Sequence, residues 1–227
     1  MIKFYYNGAP NPMKVALLLE EAGIPYEPIP IDTRSGDQHK PEYTAINPNA
    51  KAPAIVDEGV AIFDSNAILL YLAEKQGQFL PSDAKARGPM LSWLMFVASG
   101  VGPYSGQSVH FKHFAPEPKD YAVNRYDFEA DRHYRIIDER LAANKFMMGD
   151  EYTIVDMAIW GWARLIPRVL SENAMDNYPN LKRLMGEINA RPAAERAEAL
   201  PSKHTFKSDM DDAARQHMFP QNARIGA

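Results

Sequence analysis

Lys51-Ala52-Pro53-Ala54-Ile55-Val56-Asp57-Glu58-Gly59-Val60-Ala61-Ile62-Phe63-Asp64-Ser65 is the stretch that decides the fold. Pro53 to Val56 and Val60 to Phe63 are short apolar runs, and Asp57-Glu58-Gly59 between them is a hairpin signal. Asp64 and Ser65 are helix-capping residue types. Ile68, Leu69 and Leu72 behind them return at helical spacing, so a helix is expected over Asp64 to Lys75.

Upstream, Ile2 to Tyr5 is a β-rich aromatic run that ends at the turn formers Asn7-Gly8-Ala9-Pro10. Val15, Leu18, Leu19 and Ala22 recur at i, i+3, i+4 and i+7, which predicts an amphipathic helix stopped at Gly23. Tyr26 to Ile31 reads as a second strand, and Arg34 to Tyr43 as a polar, irregular loop. Residues 1–80 therefore form a small α/β unit, and Pro81-Ser82-Asp83 breaks it from the rest of the chain.

Long helical segments then take over. Tyr126, Ala130, Tyr134, Ile137 and Leu141 make one stripe. Thr153-Ile154-Val155-Asp156 resembles a capping box at the start of a buried helix, a structural role. Pro179 to Ala190 and Ala193 to Leu200 read as shorter helices. The expected organisation is an α/β domain over 1–80, an all-helical domain over 85–205, and a tail over 206–227 that is either ordered on contact or frayed.

Hydrophobic residues at 46% and charged residues at 24% allow a sizeable core. The net charge of −4 leaves no basic surplus, so neither a nucleic-acid nor a membrane partner is expected. No apolar run approaches the ~20 residues that cross a bilayer, and the first residues do not read as a signal peptide, so the expected compartment is the cytosol. There is no cysteine. Disulfide staples, thiolate metal sites and a Cys nucleophile are excluded together, and any thiol chemistry must use a ligand's thiol.

Four segments of the first unit carry a family resemblance: Pro10-Asn11-Pro12-Met13-Lys14-Val15, Gly36 to Glu42, Asn47 to Asp57, and Ala67 to Lys75. With Gly102-Pro103-Tyr104-Ser105-Gly106-Gln107, His110 to His113 and Asn124-Arg125-Tyr126, they closely resemble nu-class glutathione transferases. These are glutathione-dependent disulfide-bond oxidoreductases, akin to the transferase-like domain of the yeast nitrogen-regulator prion protein. The resemblance covers roughly residues 1–200. It implies a thioredoxin-like β-α-β-α-β-β-α domain followed by an all-α bundle, a homodimer, and bound glutathione, two molecules per subunit being one implied arrangement.

The same resemblance assigns the glutathione site. A cis bond at Ala52-Pro53 would turn the Ala52 backbone toward the cysteinyl backbone of glutathione, as in strand addition. Ser65 and the helix amides would take the γ-glutamyl carboxylate, and Asp64 its ammonium; either residue also reads simply as a helix cap. Asn66 stands where relatives usually have Gly. Lys51 and Gln38, with Lys40 nearby, would hold the glycyl carboxylate; taken alone they read as a solvated loop face. Asn11 reads either as a turn former or as the donor to the glutathione sulfur. Relatives often carry a Thr at the position of Ala9, so Asn11 and backbone amides are the sulfur's remaining donors, with Tyr5 and Tyr6 as the alternative.

For the second glutathione or substrate the candidates are Tyr104, Gln107 and Arg125, which also read as helix packing and a surface charge. His110 and His113 lie at i, i+3 without a third ligand, so packing rather than metal is expected. Reduction of small-molecule disulfides leads the functional readings. Conjugation to hydrophobic electrophiles, peroxide reduction, and a non-enzymatic regulatory role stand as alternatives.

Overall fold

The computed structural model describes residues 1–117 and 119–224. Strand β1 (Ile2–Tyr6) is followed by helix α1 (Pro10–Glu21) and β2 (Tyr26–Pro30). After a 3-10 turn at Asp37–His39 come a short α2 (Pro41–Thr44), β3 (Ala54–Asp57), β4 (Val60–Phe63) and α3 (Ser65–Gln76). The loop expected over Arg34 to Tyr43 thus contains helical turns, since Pro41 fixes a helical φ at the first position of α2.

The sheet order is β2-β1-β3-β4. β1 pairs parallel with β2 across the α1 crossover and antiparallel with β3. Pro28 and Pro30 fall on β2, an edge strand, where a missing N–H leaves no central ladder broken. The β3–β4 hairpin pairs Asp57 with Val60 around Glu58-Gly59, both at positive φ, as a two-residue primed turn requires.

The helical part begins with α4 (Arg87–Phe96), which passes through a π turn at Val97–Val101 into α5 (Gly102–His113). Then come α6 (Asp120–Ala142), α7 (Ile154–Ala163), α8 (Ile166–Val169), α9 (Pro179–Asn189) and α10 (Pro192–Ala199). His133 packs against the π turn. A Cβ at Gly100 would lie 2.3 Å from His133 Nε2, so the imidazole occupies the space that the widened turn opens.

α1 joins the two halves. It packs on α3 and β1 on one side and on α7 and α10 on the other, so Pro12 to Leu19 are all buried. Its sequence shows one apolar stripe, but two further helices cover the remaining face. The core is accordingly continuous from Phe4 and Leu18 through Trp160 and Leu184.

The tail is docked. Lys207 N donates to Asp32 Oδ2 at 2.7 Å, and Arg34 donates to the carbonyls of Lys207 and Ser208. Helix α11 (Asp212–Met218) and a turn at Pro220–Arg224 complete it. The final three residues of the expected tail, 225–227, lie outside the described residues.

Candidate functional site

A cleft of about 780 Å³ opens between the α/β unit and the helices. Asn11, Gln38, Lys51, Ala52, Asp64, Ser65 and Gln107 line it, and so do Lys14, Trp162 and residues 217–221 of the tail. Each wall is fixed by local chemistry that can be traced.

The start of α1 forms one wall. Ala9 is the cap residue and contributes no side-chain cap; its N–H is taken by Asn7 Oδ1 at 3.0 Å. Pro10 and Pro12 have no N–H, and Met13 N bonds back to Ala9 O. Among the described residues, the Asn11 N–H is therefore the one amide of this helix start left without a partner. Trp162 Nε1 donates to Asn11 Oδ1 at 3.0 Å. An indole nitrogen can only donate, so the amide oxygen faces the tryptophan and the NH₂ is turned elsewhere. Glycines make room for the ring: Cβ atoms at Gly102 and Gly106 would lie 3.1 and 3.4 Å from it.

A second wall is the loop before β3. The Lys51 carbonyl accepts from Tyr43 Oη at 2.7 Å and from Asn47 Nδ2, while Asn47 Oδ1 accepts from Asn49 N. These bonds hold Asn49 to Ala52 against the cleft, with the Ala52-Pro53 bond cis. Lys51 is exposed and has no ion pair among the described residues. It is free to meet an anion.

The third wall is the start of α3. Asp64 sits at φ 69°, ψ 123°, a costly conformation for a non-glycine residue. Its Oδ1 accepts from Asn66 N at 2.9 Å and Ala67 N at 3.2 Å. The expectation that the amides of this helix bind a ligand carboxylate is thereby narrowed, because Asp64 already occupies two of them. Ser65, with its hydroxyl, remains. Asn66 is buried with its Oδ1 unpartnered, an acceptor waiting in the same wall.

Lys14 carries no signal of its own in the sequence. It is 1% exposed, lines the cleft, and its Nζ lies 3.4 Å from Ser65 Oγ. Its stem runs over Gly161 of α7, where a Cβ would lie 2.5 Å from Lys14 Cγ. Burial draws the amine down to about 7, with the Asp64 charge pulling the other way.

Several expected residues do not reach the cleft or arrive already engaged. Lys40 does not line the cleft and pairs with Asp37 at 2.7 Å, an i,i+3 contact on the surface. Arg125 is exposed on α6 and pairs with Glu129 at 3.1 Å, one turn along. Tyr104 packs on His133 and Tyr126 instead of facing the cavity. Gln38 lines the cleft, but its Nε2 donates to the carbonyls of Thr33 and His217, both at 3.1 Å, so it offers a carboxylate no donor. Tyr6 is fully buried and bonds to Leu200 O and His204 Nδ1, and Tyr5 packs on Tyr43. Neither tyrosine lines the cleft.

The tail forms a roof. The His217 carbonyl takes both Gln38 Nε2 and His39 Nε2, and its ring fills the space beside Gly36. Phe219 meets His110 edge to face and Phe114 at a tilt, with ring centroids 4.8 and 5.4 Å away. His110 therefore packs, as expected, and burial lowers its pKa. His113 turns to the Arg168 carbonyl. No group of metal-ligating residues occurs among the described residues.

The Glutathione S-transferase N-terminal domain model matches residues 1–74, and the Glutathione S-transferase C-terminal domain model matches 97–192. The chain belongs to the glutathione S-transferase family. Among curated relatives of this transferase is the disulfide-bond oxidoreductase YfcG of Escherichia coli K12, 41% identical over 87% of this chain and 94% of that protein. A glutathione transferase family member from Pseudomonas fluorescens Pf-5, solved with two glutathione bound, is 38% identical with a TM-score of 0.82 over 87% of this chain and 92% of its own. A glutathione transferase from Pseudomonas putida, with one glutathione disulfide per subunit, is 34% identical with a TM-score of 0.82 over 88% and 91%. The thioredoxin-like unit with its helical partner is thus the transferase fold, and the chain is an enzyme of that family.

Proposed function

We propose that the cleft binds glutathione and that the protein uses it to reduce disulfides. The observation that carries this reading is Asn11 in the cleft of a chain with no cysteine, its carboxamide oriented by Trp162 and its backbone N–H without a partner among the described residues. A donor held in place beside a thiol stabilises the thiolate without reorganisation, and the thiolate is the nucleophile. The names of the YfcG relative and of the glutathione-bound neighbours support the same chemistry.

One glutathione thiolate attacks a substrate sulfur, forming a mixed disulfide and expelling the other sulfur as a thiolate that takes up a proton. A second glutathione thiolate attacks the mixed disulfide, giving glutathione disulfide and the second substrate thiol. Two electrons pass from two glutathiones to one disulfide. A cleft of about 780 Å³ is toward the upper end of the ~300–1,000 Å³ typical of small-molecule sites. In it, Ala52 offers its backbone to the peptide, Ser65 the γ-glutamyl end and Lys51 the glycyl end. Gln107 stands on the side of the second substrate.

A mixture of glutathione with a small disulfide, a peroxide or an aromatic halide tests the reading. Turnover should be fastest on the disulfide. The apolar wall of Val97, Pro103, Trp162 and Phe219 favours conjugation as the second reading, and preference for the halide would select it. Tight binding without turnover on any of the three would indicate a regulatory role. We read the working form as a cytosolic homodimer.

A further inference from the structure

A lysine is almost never fully buried without a partner, because an ammonium has three N–H groups and a large desolvation cost. Lys14 is buried, has no ion pair among the described residues, and makes one long hydrogen bond, to Ser65 Oγ. The space for its stem is reserved by Gly161, where any side chain would strike Lys14 Cγ or the Pro10 carbonyl. Both Lys14 and Ser65 line the cleft. The adjoining start of α3 has lost two of its amides to Asp64, so it is short of donors for an anion. A buried cation short of acceptors and an anion subsite short of donors lie side by side.

Resting on the glutathione reading, we propose that Lys14 is a ligand-binding residue whose ammonium pairs with the α-carboxylate of the γ-glutamyl group, in concert with Ser65. The carboxylate supplies the acceptors that Lys14 lacks, and Lys14 supplies the charge that the helix start lacks. Binding then draws a proton onto the amine wherever Lys14 is partly neutral in the free protein. The charged groups on the elements around α1 are Asp64, Glu74 and Lys75 by α3, Lys3 on β1, Asp156 on α7, and Glu195, Arg196 and Glu198 on α10. Of these, Asp64 is the one whose charge acts on Lys14, and it stays fixed by its capping bonds.

The test is calorimetry on the full-length protein and its Lys14→Met variant with glutathione and two analogues. One analogue replaces the γ-glutamyl α-carboxylate by hydrogen, the other the α-ammonium. Removing the carboxylate should weaken binding to the unmodified protein at least tenfold, and binding to Lys14→Met, which keeps Ser65, by a factor at least threefold smaller. Removing the ammonium should cost both proteins equally. Equal loss on carboxylate removal in the two proteins overturns the proposal, while the glutathione reading survives. No binding of glutathione by the unmodified protein overturns both.

Should Lys14→Met fail to fold, the unmodified protein alone decides. The S-methylated analogue without the ammonium has neither thiol nor amine to titrate. Near neutral pH, its heat of binding in two buffers of different ionisation enthalpy should show proton uptake. The Lys14 side-chain resonance should also shift on binding; a resonance that stays in place, with no proton uptake, overturns the proposal.

Discussion

Trp162 Nε1 and Asn11 Oδ1, 3.0 Å apart across 151 residues of sequence, fix how the carboxamide of a cleft residue is turned. Remove the indole N–H and the Asn11 carboxamide is free to turn its oxygen toward a bound sulfur. Trp162→Phe keeps an aromatic ring in the pocket and deletes that one bond. It should lower kcat/KM for disulfide reduction about tenfold, the ~1.4 kcal/mol scale of one neutral hydrogen bond. Asn11→Ala should cost more, about 10²–10³, as for loss of a preorganised donor. In both variants the pKa of bound glutathione, read from thiolate absorbance against pH, should rise. An unchanged pKa in Asn11→Ala would show that another group activates the sulfur.

The tail roof competes with the ligand for donors. The His217 carbonyl holds the N–H groups of Gln38 and His39, which a glycyl carboxylate could otherwise take. The loop itself keeps its shape through Asp32, which accepts from Arg34 N and Ser35 Oγ, and through Asp37 Oδ2, which accepts from Asp32 N. A chain ending after Phe206 should therefore stay folded and bind glutathione about tenfold more tightly by calorimetry, one charge-assisted bond being worth ~1.5–3 kcal/mol. Weaker binding would mean that the tail belongs to the site.

Lys14 also sets a pH window for stability. Its folded pKa is lowered to about 7 from an unfolded value of 10.5, so between those limits the unfolded chain binds more protons. Stability should rise with pH through that window, and the Lys14 contribution is lost as pH falls through about 7. Lys14→Met should melt higher than the parent at pH 7 and lose this rising limb in urea titrations. A limb that persists in the variant would assign it to another group.

Asp156 is a folding residue. Fully buried at the start of α7, its carboxylate accepts from Met147 N, Thr153 N and Thr153 Oγ1 at 2.8, 2.9 and 3.2 Å. Asp156→Ala leaves three buried donors unpaired and should cost about 3–5 kcal/mol, seen as a large drop in Tm. Thr153→Ala should cost about 1 kcal/mol, the usual value of a cap.

Assembly is tested by mass. Sedimentation at micromolar concentration should give about twice the 25.5 kDa of one chain. A monomer would refute the homodimer reading.

The fold is legible in the sequence because its signals are local. The hairpin between Val56 and Val60, the stop at Gly23 and the capping box at Thr153 each depend on neighbours in sequence. Asn11, Lys51, Ala52, Asp64 and Ser65 stand out through motif resemblance, and they do line one cleft. The features that stay hidden are long-range. Lys14 stands within a motif segment with no role of its own until α7 covers it, and Trp162 draws no reading until its N–H finds Asn11. Gln38 looks like a free donor until a carbonyl 179 residues away claims it. Lys40 and Arg125 differ in the other direction: each pairs with an acid three or four residues away in sequence.

The span between Asp32 and Lys207, 175 residues, has a temporal meaning. A ribosome makes the start of α1 first, the loop wall up to Ala52 next, Trp162 much later, and the roof at 217–221 last. Domains generally fold as units, the N-terminal one first. The order of translation is then the order in which the walls of the cleft are made, and Lys51 and Ser65 exist before the roof does.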